Sequence, residues 1–80
     1  MKINLIAFGI ARDILGRSST QLELLENATV LDLKQKLVET YPDFSKLVSF
    51  AIAVNEAYQT DDFVLNEADE IVVLPPVSGG

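Results

Sequence analysis

Apolar and polar residues alternate from the first residues of the chain. Residues 2–8 read as a strand, with Ile3, Leu5 and Ala7 on one face and Lys2, Asn4, Ile6 and Phe8 on the other. The second face begins polar and ends apolar, which is unusual for a side that only meets water. Residues 11–15 form a short helical stretch with Gly16 placed as its C-cap. Residues 20–25 alternate again, setting Thr20, Leu22 and Leu24 against Gln21 and Glu23 in a second strand. The period then changes. Thr29 is an N-cap residue with Asp32 three positions on, and Val30, Leu33, Leu37 and Tyr41 follow as one helical stripe. Pro42 ends that helix.

Beyond Pro42, residues 43–47 read as a helical turn that drops Phe44 and Leu47 onto the core. Phe50, Ile52 and Val54 mark one face of a third strand, which Asn55-Glu56 ends in a turn, with Tyr58 following. Residues 63–65 read as a short strand or turn leading into the polar stretch 66–70, and residues 71–74 as an interior strand. One main helix on one face of a mixed sheet satisfies this order, an α+β arrangement of the β-grasp type. The opposite sheet face is left for a partner. Residues 1–74 are expected to form the domain and residues 75–80 a projecting tail.

Composition removes most self-contained chemistry. The 80 residues include no Cys and no His, so there is no thiolate nucleophile, zinc-thiolate site or imidazole base. No bound metal or cofactor is expected. The pairs Asp61-Asp62 and Asp69-Glu70 read as solvated acids in turns. Twelve acids against six bases give a net charge of -6, which disfavours nucleic acid and favours a partner with a basic surface. No run reaches the roughly 18 apolar residues of a membrane span, and the N-terminal residues lack a signal peptide's pattern. A cytoplasmic location is expected, without membrane contact.

The tail is the sharpest feature. Residues 75–80 read Pro-Pro-Val-Ser-Gly-Gly. A terminal Gly-Gly alone arises by chance in about one chain in 200, and a passive end is its plain reading. The prolines cannot extend a sheet and stiffen the segment, which fully extended reaches about 20 Å. Gly79 and Gly80 lack Cβ and can thread a channel closed to other residues. The group left to react is the Gly80 carboxylate, a poor electrophile until a partner activates it with ATP.

With these features the chain resembles ubiquitin and the bacterial sulfur carriers, and more closely the small-subunit family of molybdopterin synthase. Residues 8–16 (Phe-Gly-Ile-Ala-Arg-Asp-Ile-Leu-Gly) are similar to that family's Phe-Ala-x-x-Arg-Glu-x-x-Gly. Ala53-Val54-Asn55 resembles its Ala-Val-Asn, residues 65–71 its Leu-x-x-Gly-Asp-Glu-Val, and residues 75–80 its Pro-Pro-x-x-Gly-Gly. The chain departs at Gly9, Asp13 and Ala68, where the family more often has Ala, Glu and Gly.

The resemblance implies sulfur transfer. An activating enzyme of the ubiquitin-activating kind would adenylate Gly80 with ATP, and the carboxylate would become a thiocarboxylate. The tail, with Gly79 giving access, would then enter the large synthase subunit and deliver sulfur to cyclic pyranopterin monophosphate. This chain would have no active site of its own. Alternation sends Ile6, Phe8, Val72 and Leu74 to the open face, where Tyr58 extends them. The resemblance places the partner contact there, centred on Phe8, Tyr58 and Leu74 and continuing into Pro75, Pro76, Val77 and Ser78. Arg12 is a further candidate for pairing with a partner carboxylate. Two other readings share the activation chemistry: a protein modifier joined to lysine through Gly80, and a thiamine-pathway sulfur carrier. A binding domain with an inert tail is a third.

Overall fold

The computed structural model describes residues 1–47 and 50–74. β1 (Lys2–Ala7) buries Ile3, Leu5 and Ala7 completely, as the alternation predicts. Its partners are β2 (Ser19–Glu23), antiparallel with Ile3 opposite Leu22, and β5 (Glu70–Leu74), parallel with Leu5 opposite Ile71. β3 (Ala51–Val54) runs antiparallel to β5, placing Ile52 against Val73 and Val54 against Ile71. β4 (Ala57–Tyr58) closes the far edge, so the sheet order is β2-β1-β5-β3-β4. The most apolar strand therefore lies in the middle, with neighbours on both sides, as its sequence predicts.

α2 (Val30–Thr40) covers one face of the sheet. Its start is a reciprocal capping box: Thr29 Oγ1 accepts from the Asp32 N–H, and Asp32 Oδ2 accepts from the Thr29 N–H at 2.9 Å. Val30, Leu33 and Leu37 point inward and are fully buried. Tyr41 ends the helix, and the 3-10 helix Pro42–Lys46 turns Phe44 into the core. There Phe44 meets Phe50 at a ring separation of 5.1 Å and Tyr41 edge-on at 6.3 Å. Leu47 packs on the same cluster.

Two local expectations are corrected. β1 ends at Ala7, and Phe8 becomes the N-cap of α1 (Gly9–Leu15), which starts two residues earlier than its apolar pattern indicates. Gly9 at φ 56° swings the chain out of the ladder into this helix, a conformation that an Ala there would resist. Gly16, at φ 80°, caps the other end by donating its N–H to the Arg12 carbonyl at 2.9 Å. Ala11 and Leu15 carry α1 into the same core as α2.

The second correction concerns the region after β3. Residues 63–65 contribute a bridge from Val64 to Thr29, and the short strand is Ala57–Tyr58. Asn55 (φ 51°) and Glu56 (φ 72°) both adopt left-handed backbone, making the two-residue turn that folds β4 directly back on β3. Ala53 is also buried, although it lies on the face opposite Ile52 and Val54. Ala68, standing in for the family's Gly, takes no positive φ. Its turn closes through Asp69, whose N–H donates to the Asn66 carbonyl at 3.1 Å and whose carboxylate accepts from the Asn66 N–H.

Asn55 ties the hairpin to the start of β5. Its Nδ2 donates to Asp69 Oδ1 and its Oδ1 accepts from the Glu70 N–H, both at 2.9 Å. Its backbone N–H donates to the Glu70 carbonyl at 2.8 Å. Substitution should separate side-chain bonding from backbone strain. Asn55→Gly loses the side-chain bonds but fits the positive φ, whereas Asn55→Ala loses the bonds and adds about 1 kcal/mol of strain. Urea denaturation should therefore rank Asn55→Ala below Asn55→Gly, and both below the parent chain. Equal midpoints for the two variants would contradict the left-handed assignment.

Candidate functional site

Alternation fixes what the uncovered face of the sheet presents. Because Leu5, Ile71 and Ile52 point to α2, their neighbours Ile6, Val72 and Ala53 point away from it. The register places them in one row: Ser19, Ile6, Val72, Ala53 and Tyr58 follow each other across all five strands. Ile6 and Val72 are half-buried, Ala53 is buried between its two neighbours, and Tyr58 is 71% exposed at the edge. One step further along β5, half-buried Leu74 faces Ala51.

Phe8 reaches the same end of the sheet by a different route from the one the sequence implies. It lies beyond the ladder, yet its backbone is still extended (φ -128°, ψ 161°), so alternation continues one residue past β1. It follows Ala7, whose partner Val73 precedes Leu74, and its ring is 55% exposed. Phe8, Leu74 and the Ile6–Tyr58 row thus form an apolar surface at the end where β5 leads into residue 75. Exposed apolar area of this kind on a small domain marks an interaction surface.

The opposite end of the face is polar. Asn4 Oδ1 accepts from Gln21 Nε2 at 2.9 Å, and the Lys2 N–H donates to Glu67 Oε1 at 3.2 Å. Arg12 lies exposed on α1 and has no ion-pair partner among the described residues. Asp61 holds Lys34 at 2.8 Å, Asp62 accepts from the Thr60 hydroxyl, and Asp69 serves the turns beside Asn55 and Asn66. No three His, Cys, Asp or Glu side chains converge on a metal-sized space among the described residues. The same residues include no helix long and apolar enough to cross a membrane. Pro75, Pro76, Val77, Ser78, Gly79 and Gly80 lie outside the described residues.

The sequence reading singled out Phe8, Tyr58 and Leu74, and the structure brings all three to one face. It did not single out Ala53, which the register places between Val72 and Tyr58.

Comparison with known proteins places this geometry in a family. A Dictyostelium discoideum molybdopterin synthase sulfur carrier subunit is 32% identical over 83 aligned residues, covering 99% of this chain and 96% of that protein. A Pyrococcus furiosus structure provisionally named molybdopterin converting factor subunit 1 superposes with a TM-score of 0.87 at 29% identity, over 96% of this chain and 99% of its own. A Helicobacter pylori complex of subunits 1 and 2 of molybdopterin-converting factor contains a chain matching at TM-score 0.67 and 26% identity, with both chains fully covered. The ThiS family itself matches residues 5–80. From its fifth residue to its last, the chain belongs to the ThiS family.

Proposed function

We propose that this chain carries sulfur on its C-terminus for molybdopterin synthase, acting as the small subunit of that complex in the cytoplasm. The observation that carries the reading is the apolar surface around Phe8, Leu74 and the Ile6–Tyr58 row, placed where the last strand hands over to Pro-Pro-Val-Ser-Gly-Gly. The curated relatives named as sulfur carrier subunits support it, as does the Helicobacter complex of a matching chain with its second subunit.

The chemistry then divides between chains. A Gly80 carboxylate oxygen attacks the α-phosphorus of ATP on an activating enzyme, releasing pyrophosphate and leaving an acyl-adenylate. A donor at the oxidation level of hydrogen sulfide attacks the Gly80 carbonyl carbon, and AMP departs, leaving the thiocarboxylate. In the large subunit the thiocarboxylate sulfur bonds to a carbon of cyclic pyranopterin monophosphate, and water then attacks the Gly80 carbonyl carbon and cleaves its bond to sulfur, which restores the carboxylate. The body supplies docking through Phe8, Tyr58 and Leu74, and the tail residues Pro75, Pro76, Val77, Ser78 and Gly79 supply reach and a slim profile. Arg12 is a candidate to pair with a partner carboxylate. ATP binds to the activating enzyme, and this chain holds no cofactor.

Intact mass after incubation with ATP, the activating enzyme and a sulfide donor tests the mechanism. The parent chain should gain the mass of one sulfur in place of one oxygen. Deleting Gly80 should abolish that gain without shifting the melting temperature, and a bulky residue at Gly79 should slow it. Loading of the Gly80-deleted chain at the parental rate would overturn the reading.

The docking surface has its own test. Phe8 is more than half exposed in the free chain, so Phe8→Ala removes little core packing. Burial of a large aromatic at an interface is worth roughly 1.5–3 kcal/mol. Calorimetry should show Phe8→Ala binding the large subunit at least about tenfold more weakly, with an unchanged melting temperature. Unchanged affinity combined with a collapsed melting temperature would return Phe8 to the core.

A further inference from the structure

The open face is not uniform in charge. Two shallow depressions lie astride β1 and share Asn4 and Ile6 as their common wall. The one toward β2 is lined by Arg17, Ser19 and Gln21. The one toward β5 is lined by Glu67, Asp69 and Glu70. Arg17 is exposed and has no ion-pair or hydrogen-bond partner among the described side chains, although the chain carries twelve acids. Within the acidic depression the groups differ in freedom. Asp69 is held by Asn55 and Asn66, and Glu67 accepts from the Lys2 N–H, which leaves Glu70 as the carboxylate with no such bond.

We propose that Arg17 and Glu70 form a charge key that sets the orientation in which this face docks on the large synthase subunit, which presents a carboxylate to Arg17 and a cationic side chain to Glu70. This rests on the carrier reading above and names the chemistry of that partner's surface. The aliphatic centre of the row, Ile6, Val72 and Ala53, spans three strands and supplies area with little direction of its own. A row of aliphatic side chains packs nearly as well when turned end for end, whereas a cation and an anion on opposite sides of it do not. Reversed docking would put like charges together on both sides of β1, which disfavours it. It would also aim the tail away from the partner's site. Before contact, the same separation of charge orients the encounter and accelerates it. Arg17 is a specificity-determining residue here and takes no part in the chemistry at Gly80.

A matched pair of charge reversals tests the key. Arg17→Glu and Lys36→Glu each exchange one positive for one negative charge, so both lower the net charge of -6 by two. Lys36 lies exposed on α2, on the covered side of the sheet, and serves as the control. Stopped-flow association of each variant with the large subunit at low and high salt is the measurement. Arg17→Glu should slow association about tenfold at low salt and flatten its salt dependence, while Lys36→Glu stays within about twofold of the parent. Sulfur loading of Gly80 without the large subunit should proceed in all three chains. Equal slowing by the two reversals would show that net charge alone matters and would overturn the key while leaving the carrier reading intact. Failure of the parent chain itself to bind would contradict the carrier reading, and the key with it.

Discussion

The parallel ladder between β1 and β5 joins the first strand of the chain to the last, and the placement of every functional group follows from it. Pairing Leu5 with Ile71 and Ala7 with Val73 puts both strands' alternate residues on the same two faces. A one-residue slip would turn Ile71 and Val73 toward solvent and Glu70 and Val72 toward α2, burying a carboxylate and exposing two core side chains. The register is therefore strongly selected. It is also held mechanically at the start of β5, where Asn55 binds Asp69 and Glu70 through side chain and backbone. The residues of two sequence motifs, Ala53-Val54-Asn55 and Asp69-Glu70, meet at this clasp.

From that register comes a division between two faces. The covered face carries the stability: α2, α1 and the 3-10 helix close Val30, Leu33, Leu37, Leu15 and Phe44 over the inward residues of the sheet. The open face has no helix over it among the described residues and is the face proposed for docking. Its apolar end lies beside the tail root, and its charged side chains lie to either side of β1. A chain with neither Cys nor His can take part in sulfur chemistry this way because its own contribution is positional.

Much of this was legible in the residues. α2 announces itself at both ends, through Thr29 and Asp32 and then Pro42, and its stripe survives into the core unchanged. The inward sets of β1 and β5 follow from alternation alone. What failed depended on backbone conformations that side-chain type does not advertise. The turn at Asn55-Glu56 was read, but Glu56 does not forecast left-handed backbone, so the tight hairpin that makes a strand of Ala57–Tyr58 was not. The apolar pattern starts the first helix at Ala11, yet Gly9 opens α1 because the chain needs a positive φ to leave β1. The Asn55 clasp spans fourteen residues and exists only once β3 and β5 are paired. Arg17 belongs to no pattern at all, and its position beside Ile6 emerges from the β1–β2 hairpin.

The central claim is that the face opposite α2, ending at the tail root, is the surface this carrier presents to the large synthase subunit. Amide chemical-shift perturbation of the isotopically labelled full chain, titrated with that subunit, tests it residue by residue. The account predicts shifts or broadening concentrated at Ile6, Phe8, Ala53, Tyr58, Val72 and Leu74, with Leu33, Lys36 and Leu37 of α2 unmoved. Perturbations concentrated along α2, with the Ile6–Tyr58 row silent, would contradict it.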